Sequence, residues 1–264
     1  MPRLKLTLEY DGTDYVGWQV QPNGRSVQAV VERALSSLLQ EPVAVLAAGR
    51  TDSGVHALGQ VVSFRTDKEL PLKAYVLGMA SLLPEDVSVV AAELVRDDFD
   101  PRRWALRKRY RYLISNRPVR SPLRRRTHWE IFLPLDVANM EEGAARLIGR
   151  HDFSAFRASS CTAPHAVREI TALGIAGEAG AEIAVTVDGT AFVKHMVRNI
   201  VGALVEVGRG RQGPGWIREV LESGDRVLSG PTAPAHGLTL LHVLYGDGPR
   251  AAAGPETDDE EDES

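Results

Sequence analysis

An α+β fold with mostly antiparallel sheets is what the sequence predicts, and three observations carry it. Short extended segments follow one another without a helix between every pair, which a parallel βαβ design would require. Helical spacing of apolar residues is confined to a few stretches. The order strand, helix, strand, strand, helix, strand fills the first hundred residues, and a comparable order returns afterwards without residue-level repetition.

The elements follow in chain order. Leu4, Leu6, Leu8 and Tyr10 share one side of an extended segment over 3–10, and Asp11-Gly12-Thr13 turns the chain. Ser26 is placed to cap a helix whose apolar positions, Val27, Val30, Val31, Ala34, Leu35, Leu38 and Leu39, recur at helical intervals until Pro42 stops it. Residues 43–48 and 60–65 read as strands, 71–83 as a helix with proline in its first turn, and 87–95 as a strand. Phe99-Asp100-Pro101 breaks the pattern. Beyond it, strands are expected at 109–115, 129–133, 167–175, 182–187 and 238–245, and helices at 136–148, 191–207 and 216–221. Two similar subdomains of RRM-like or ferredoxin-like type, joined around a central cleft, are therefore expected. They would occupy residues 1–104 and 105–246, with 247–264 a disordered acidic tail.

Composition narrows the setting. With 44% hydrophobic and 25% charged residues the chain is ordinary for a globular protein. Its single cysteine, Cys161, excludes an internal disulfide or a cysteine zinc cluster and fits a reducing compartment. The first residues alternate charge and apolarity, unlike a signal peptide, and Lys194, His195, Arg198 and Glu206 interrupt the most apolar helical segment, so a cytoplasmic protein is expected. The net charge of −4 hides an asymmetry: residues 251–264 hold seven acids and no base. Residues 101–126 hold eleven Arg and Lys and no acid, interleaved with Trp104, Tyr110 and Tyr112. A run of this kind suits phosphates and stacked bases, although a solvated face has the same charge density.

Between two glycines, Gly49-Arg50-Thr51-Asp52-Ser53-Gly54 sets a carboxylate beside a guanidinium at the end of a core strand. Standing alone, such a string is better explained by a turn aspartate bonding its own backbone than by catalysis. The longer string through Val55-His56-Ala57 resembles the signature loop of the tRNA pseudouridine synthase A family. Further segments resemble the same family in order: Tyr10-Asp11-Gly12-Thr13 with Gly17-Trp18-Gln19, Lys108 to Tyr112, His151 to Phe156, Phe192 to Gly202, and Thr232 to Leu238. Thr239 stands where the family leads one to expect tyrosine, and the acidic tail is an addition.

The resemblance implies isomerisation of uridine to pseudouridine at positions 38, 39 and 40 of the tRNA anticodon stem-loop, by a homodimer and with no cofactor. It makes Asp52 the catalytic residue. Arg50 would hold a phosphate or fill the space of the extruded nucleotide, Tyr110 would stack on the target base, and Arg198 would pair with the aspartate. Whether the carboxylate attacks as a nucleophile or removes a ribose proton stays open. An ionised carboxylate in a closed pocket does need an opposite charge beside it.

Two other classes compete. A non-catalytic RNA-binding module explains the basic run and leaves the Asp52 loop as turn chemistry. A metal-dependent phosphodiesterase needs a denser carboxylate and histidine cluster than His151-Asp152 provides. Gly208-Arg209-Gly210-Arg211-Gln212-Gly213 fits a dinucleotide fingerprint formally, but it follows a helix and is read as a helix end and basic turn. Cys161 and His165 are read as packing or loop residues.

Overall fold

The computed structural model describes residues 1–22 and 24–250, so the acidic segment 251–264 lies outside the described residues. Two compact units are present: residues 1–109 with 238–250, and residues 110–237.

In the first unit β1, Arg3–Tyr10, lies between two antiparallel partners. One is β3, His56–Arg65, and the other is β4, Val87–Val95. The alternation read from the sequence puts Leu4, Leu6, Leu8 and Tyr10 in the core. Helix α1, Val27–Leu39, is capped by Ser26, whose side chain accepts from the Ala29 amide. It buries Val27, Val31, Ala34, Leu35 and Leu39 and stops at Gln40, which has φ 56°. Only Leu46–Ala47 forms the short strand β2. The rest of the predicted 43–48 strand is diverted, because the amides of Val43 and Val45 bond Ser36 and Glu32 of α1 instead of a strand.

The helix expected over 71–83 is also broken. It is a π turn, Ala74–Gly78, running into a 3-10 turn, Met79–Ser81. Gly78 sits where Leu38 of α1 approaches closely, and glycine is a poor helix former. The last strand, β10, Leu238–Tyr245, packs within the first unit, parallel to β3 with Thr239 opposite His56. Val243 and Tyr245 close a cluster around Ala48, Val61, Phe99 and Trp104.

Strand β5, Ala105–Ser115, carries the chain into the second unit. There β7, Gly149–Asp152, β8, Val167–Gly177, and β9, Glu182–Gly189, pair antiparallel in succession. Strand β7 was not predicted, since Gly-Arg-His-Asp has no apolar alternation. Strand β6 is only Trp129–Glu130, parallel to β5, rather than 129–133. The Asn116 side chain ends it by donating to the Ile131 and Leu133 carbonyls and accepting from the Leu135 amide.

Helices α2, Val137–Ala145, α3, Met196–Gly208, and α4, Trp216–Ser223, complete this unit. Asp136 caps α2. Helix α3 is nearly all buried and begins five residues later than its apolar pattern suggests, because His195 adopts φ 64°. The Gly208–Gly213 string is a helix end and turn, in which Arg209 and Arg211 both pair with Glu206. With five antiparallel pairings against two parallel ones described, the mixed α+β, mostly antiparallel reading holds. No helix among the described residues is long and apolar enough to cross a membrane.

Candidate active site

Asp52 sits on the loop between β2 and β3, partly exposed, with the exposed Arg50 two residues before it. The loop is braced through its backbone and by a few side chains. The Thr51 carbonyl accepts from the Trp18 amide at 3.0 Å, and the Gly54 amide donates to the Tyr15 carbonyl at 3.3 Å. The Ser53 hydroxyl donates to the same Tyr15 carbonyl at 3.1 Å, and the Val55 amide closes a turn onto the Asp52 carbonyl at 3.1 Å.

Two buried polar side chains finish the brace. The Tyr10 hydroxyl and Thr51 Oγ1 share a hydrogen bond of 2.8 Å, and Gln60 Nε2 donates to the Gly49 carbonyl at 2.7 Å. Burial pushes the Tyr10 hydroxyl far above its usual pKa, so it stays protonated.

Glycine explains the closeness. A Cβ at Gly12 would fall 2.0 Å from the Val55 carbonyl oxygen. One at Gly17, which has φ +111°, would fall 2.7 Å from the Thr51 carbonyl oxygen. The Asp11–Gln19 segment is thus the bed on which the Asp52 loop lies. The residues quoted with it in the sequence have a physical task there, which a search for chemical groups alone passes over. A Cβ at Gly49 would come 2.9 Å from Lys108 Nζ, so a cation of the same unit stands over the start of the loop. Sequence reasoning assigned Lys108 no role.

Tyr110 and Arg198 belong to the second unit. Strand alternation on β5 turns Tyr110 and Tyr112 inward and leaves Arg107 and Arg109 exposed on the other face. The Tyr110 ring meets Phe192 edge to face at 5.2 Å, in the segment leading to α3. Arg198 lies in the first turn of α3 and is tied reciprocally to Ala233. Its Nε donates to the Ala233 carbonyl at 2.8 Å, and its own carbonyl accepts from the Ala233 amide at 3.1 Å. Tyr112 is held by the next carbonyl, donating to Pro234 at 2.8 Å. Burial drives the Tyr112 hydroxyl upward in pKa, against the opposing charge of Arg198.

The 229–233 loop rests in turn on a network that the sequence reading missed. Arg226 donates to Ser229 Oγ and the Gly230 carbonyl, each at 2.8 Å, to Thr232 Oγ1 at 2.7 Å and to Asn199 Oδ1 at 3.2 Å. Asn199 is fully buried and also donates to the Phe156 carbonyl at 2.8 Å. Among the described residues no three His, Cys, Asp or Glu side chains gather as a metal set. His151 and Asp152 line an open groove of about 530 Å³ with Arg146, Arg218, Leu221 and Glu222.

These features define a class: an α+β protein that displays one carboxylate on a backbone-braced loop and carries an exposed basic face backed by buried aromatics. Comparison with known proteins makes the assignment particular. The family described as tRNA pseudouridine synthase matches residues 7–102 and 144–246. A Myxococcus xanthus protein named tRNA pseudouridine synthase A is 61% identical over 264 residues, covering all of both chains. Proteins of the same name from Pelobacter propionicus and Geotalea uraniireducens are 50% and 46% identical over 245 residues, or 93% of this chain and all of theirs. The chain belongs to the tRNA pseudouridine synthase family.

Proposed function

We propose that this chain isomerises uridine to pseudouridine in the anticodon stem-loop of tRNA, at positions 38, 39 and 40, with Asp52 as its catalytic carboxylate. The observation that carries the reading is the braced loop: a chain of this family presents Asp52 on a support that fixes Thr51, Ser53 and Gly54 and leaves the carboxylate partly exposed. In the reaction the C1′–N1 bond breaks, the uracil turns and a C1′–C5 bond forms. The C5 proton is lost and N1 gains one, so the product is an isomer and no electron or donor group enters. A uridine in a stacked stem is extruded first, at a cost of roughly a few kcal/mol.

The remaining roles are those the family resemblance suggests. Arg50, exposed beside Asp52, takes a phosphate or the place of the displaced nucleotide. Arg198 is the cation that the resemblance assigns to the carboxylate, and its Nε is tied to the Ala233 carbonyl. Tyr110 supplies a ring for the uracil. The Asp52 loop and the aromatic strand fall to two domains, and a homodimer acting in the cytoplasm supplies the surface that a whole tRNA needs.

The test is turnover by purified protein on uridine-containing tRNA in EDTA. Pseudouridine is expected from the native chain. Asp52→Asn is expected to lose at least a thousandfold in rate while still retaining RNA; retained turnover refutes the assignment. Binding without product supports the RNA-binding alternative, and strand cleavage that EDTA abolishes supports a phosphodiesterase. Light scattering that shows an active monomer removes the homodimer.

A further inference from the structure

Both residues that follow Asp52 hang on one atom, the Tyr15 carbonyl oxygen, which accepts from Ser53 Oγ and the Gly54 amide. What fixes Tyr15 therefore fixes that side of the loop. Its own amide donates to the Gly12 carbonyl at 3.1 Å, and the residue is 2% exposed. The phenol hydroxyl donates to Asp86 Oδ1 at 2.5 Å, from the turn just before β4. Asp86 also takes two bonds from Arg25, at 3.1 and 3.3 Å, and its carbonyl accepts from the Asp11 amide at 3.0 Å.

Arg25 completes a closed circuit. Its guanidinium lies 4.6 Å from the centroid of the Tyr15 ring, and its carbonyl accepts from the Val16 amide. Burial and the neighbouring Asp86 carboxylate both raise the Tyr15 hydroxyl well above its ordinary pKa, so it remains a donor across the working range. The sequence reading gave these three residues no function, and none is among those assigned to the substrate.

We propose that Asp86 is a positioning residue for the reaction: through the Tyr15 hydroxyl it sets the carbonyl on which the Ser53–Gly54 side of the Asp52 loop hangs. This rests on the reading of Asp52 as the catalytic group. A carboxylate displaced by an ångström loses rate without losing substrate, since the phosphates and the target base are gripped elsewhere. Removing Asp86 should accordingly act on kcat and spare KM.

Single-turnover kinetics with enzyme in excess over tRNA, together with steady-state kcat and KM, test this. Asp86→Ala is expected to lower kcat about tenfold with KM within twofold of the native value, at a temperature where the variant is fully folded. Tyr15→Phe should reproduce that loss, the double variant should be no slower than either single, and Asp86→Asn, which keeps an acceptor for the phenol, should recover most of the rate. A melting temperature that falls in Asp86→Ala with the native single-turnover rate preserved means a structural role only and overturns the proposal. So do additive losses in the double variant. If the native chain makes no pseudouridine, or Asp52→Asn still does, it is the functional reading that fails, and the two failures are thereby distinguished.

Discussion

The loop around Asp52 in the first unit and the loop around Ala233 in the second both hold a charged side chain for the same proposed chemistry, but the balance of backbone and side-chain bonds that holds them differs. The first is bound backbone to backbone, through the carbonyls of Tyr15 and Thr51 and the amide of Trp18, over glycines that leave no room for a Cβ. The second is bound by polar side chains, with Arg226, Thr232 and Asn199 converging beneath it. A backbone brace fails when one atom is added to a glycine, or when the side chains that seat the bracing segment, as Asp86 seats Tyr15, are taken away. A side-chain network tolerates modest shifts of backbone and fails when one partner is taken away.

The sharpest way to break that contrast is Gly12→Ala. Its new methyl would stand 2.0 Å from the Val55 carbonyl oxygen, a backbone atom that moves only if the Asp52 loop moves. Overpacking against backbone is expected to cost about 3 kcal/mol or more. Thermal unfolding should show a fall of several degrees, and turnover should fall more than the loss of folded protein explains. A native-like melting curve with native turnover would mean that the loop is not rigidly seated.

On the other side of the comparison stands Asn199→Ala. It removes the acceptor shared by Arg226 and Thr232 and strands the Phe156 carbonyl. Leaving such groups unsatisfied costs roughly 1–3 kcal/mol. Denaturant unfolding should show that loss. Arg198 should then be mispositioned, with kcat reduced several-fold and no effect attributable to the Asp52 loop. Equal stability of variant and native chain would show that the network is not needed to hold the loop.

The same contrast explains what could be read from the sequence. The strands 3–10, 87–95 and 238–245 and helix α1 match their expected spans closely, because burial of one face imposes period on the residues. The glycine-framed Asp52 string was visible as a loop, since backbone bracing needs glycine in recognisable places, while its proposed chemistry came from the resemblance of the longer string. Asn199, Arg226 and Thr232 were not legible: Asn199 lies 27 and 33 positions from the other two, a spacing that carries no periodic signal, and only the fold brings them together. Where side chains capture backbone groups, as Glu32 and Ser36 do at Val45 and Val43, or Asn116 at Ile131 and Leu133, the predicted strands are cut short. Asp86 was unread for the same reason, since its partners Tyr15 and Arg25 are about sixty to seventy residues away in sequence.

A third region, residues 117–130, is tied down by charge, and there the expected effect is smallest. His128 Nε2 donates to Glu182 Oε2 at 2.9 Å, and Arg124 lies 3.5 Å from the same oxygen. The His128 hydrogen bond, chiefly, and then the charges of His128, Arg124 and Arg111 hold the Glu182 carboxyl below its usual pKa. A depressed carboxyl contributes stability above its unfolded pKa of about 4.3, and that contribution is lost as pH falls through the lower, folded value. Because Glu182 is 44% exposed, solvent and salt screen the pair, and the contribution is expected to stay below about 1 kcal/mol. Glu182→Gln keeps an acceptor for His128 and removes the charge. Melting temperatures of the two proteins should therefore differ by at most about 2 °C at neutral pH and converge as the pH drops below about 4, where the native carboxyl is protonated as well. A gap that persists undiminished at pH 3 would mean that shape, and not charge, holds this segment, which would place it with the Asn199 network rather than apart from it.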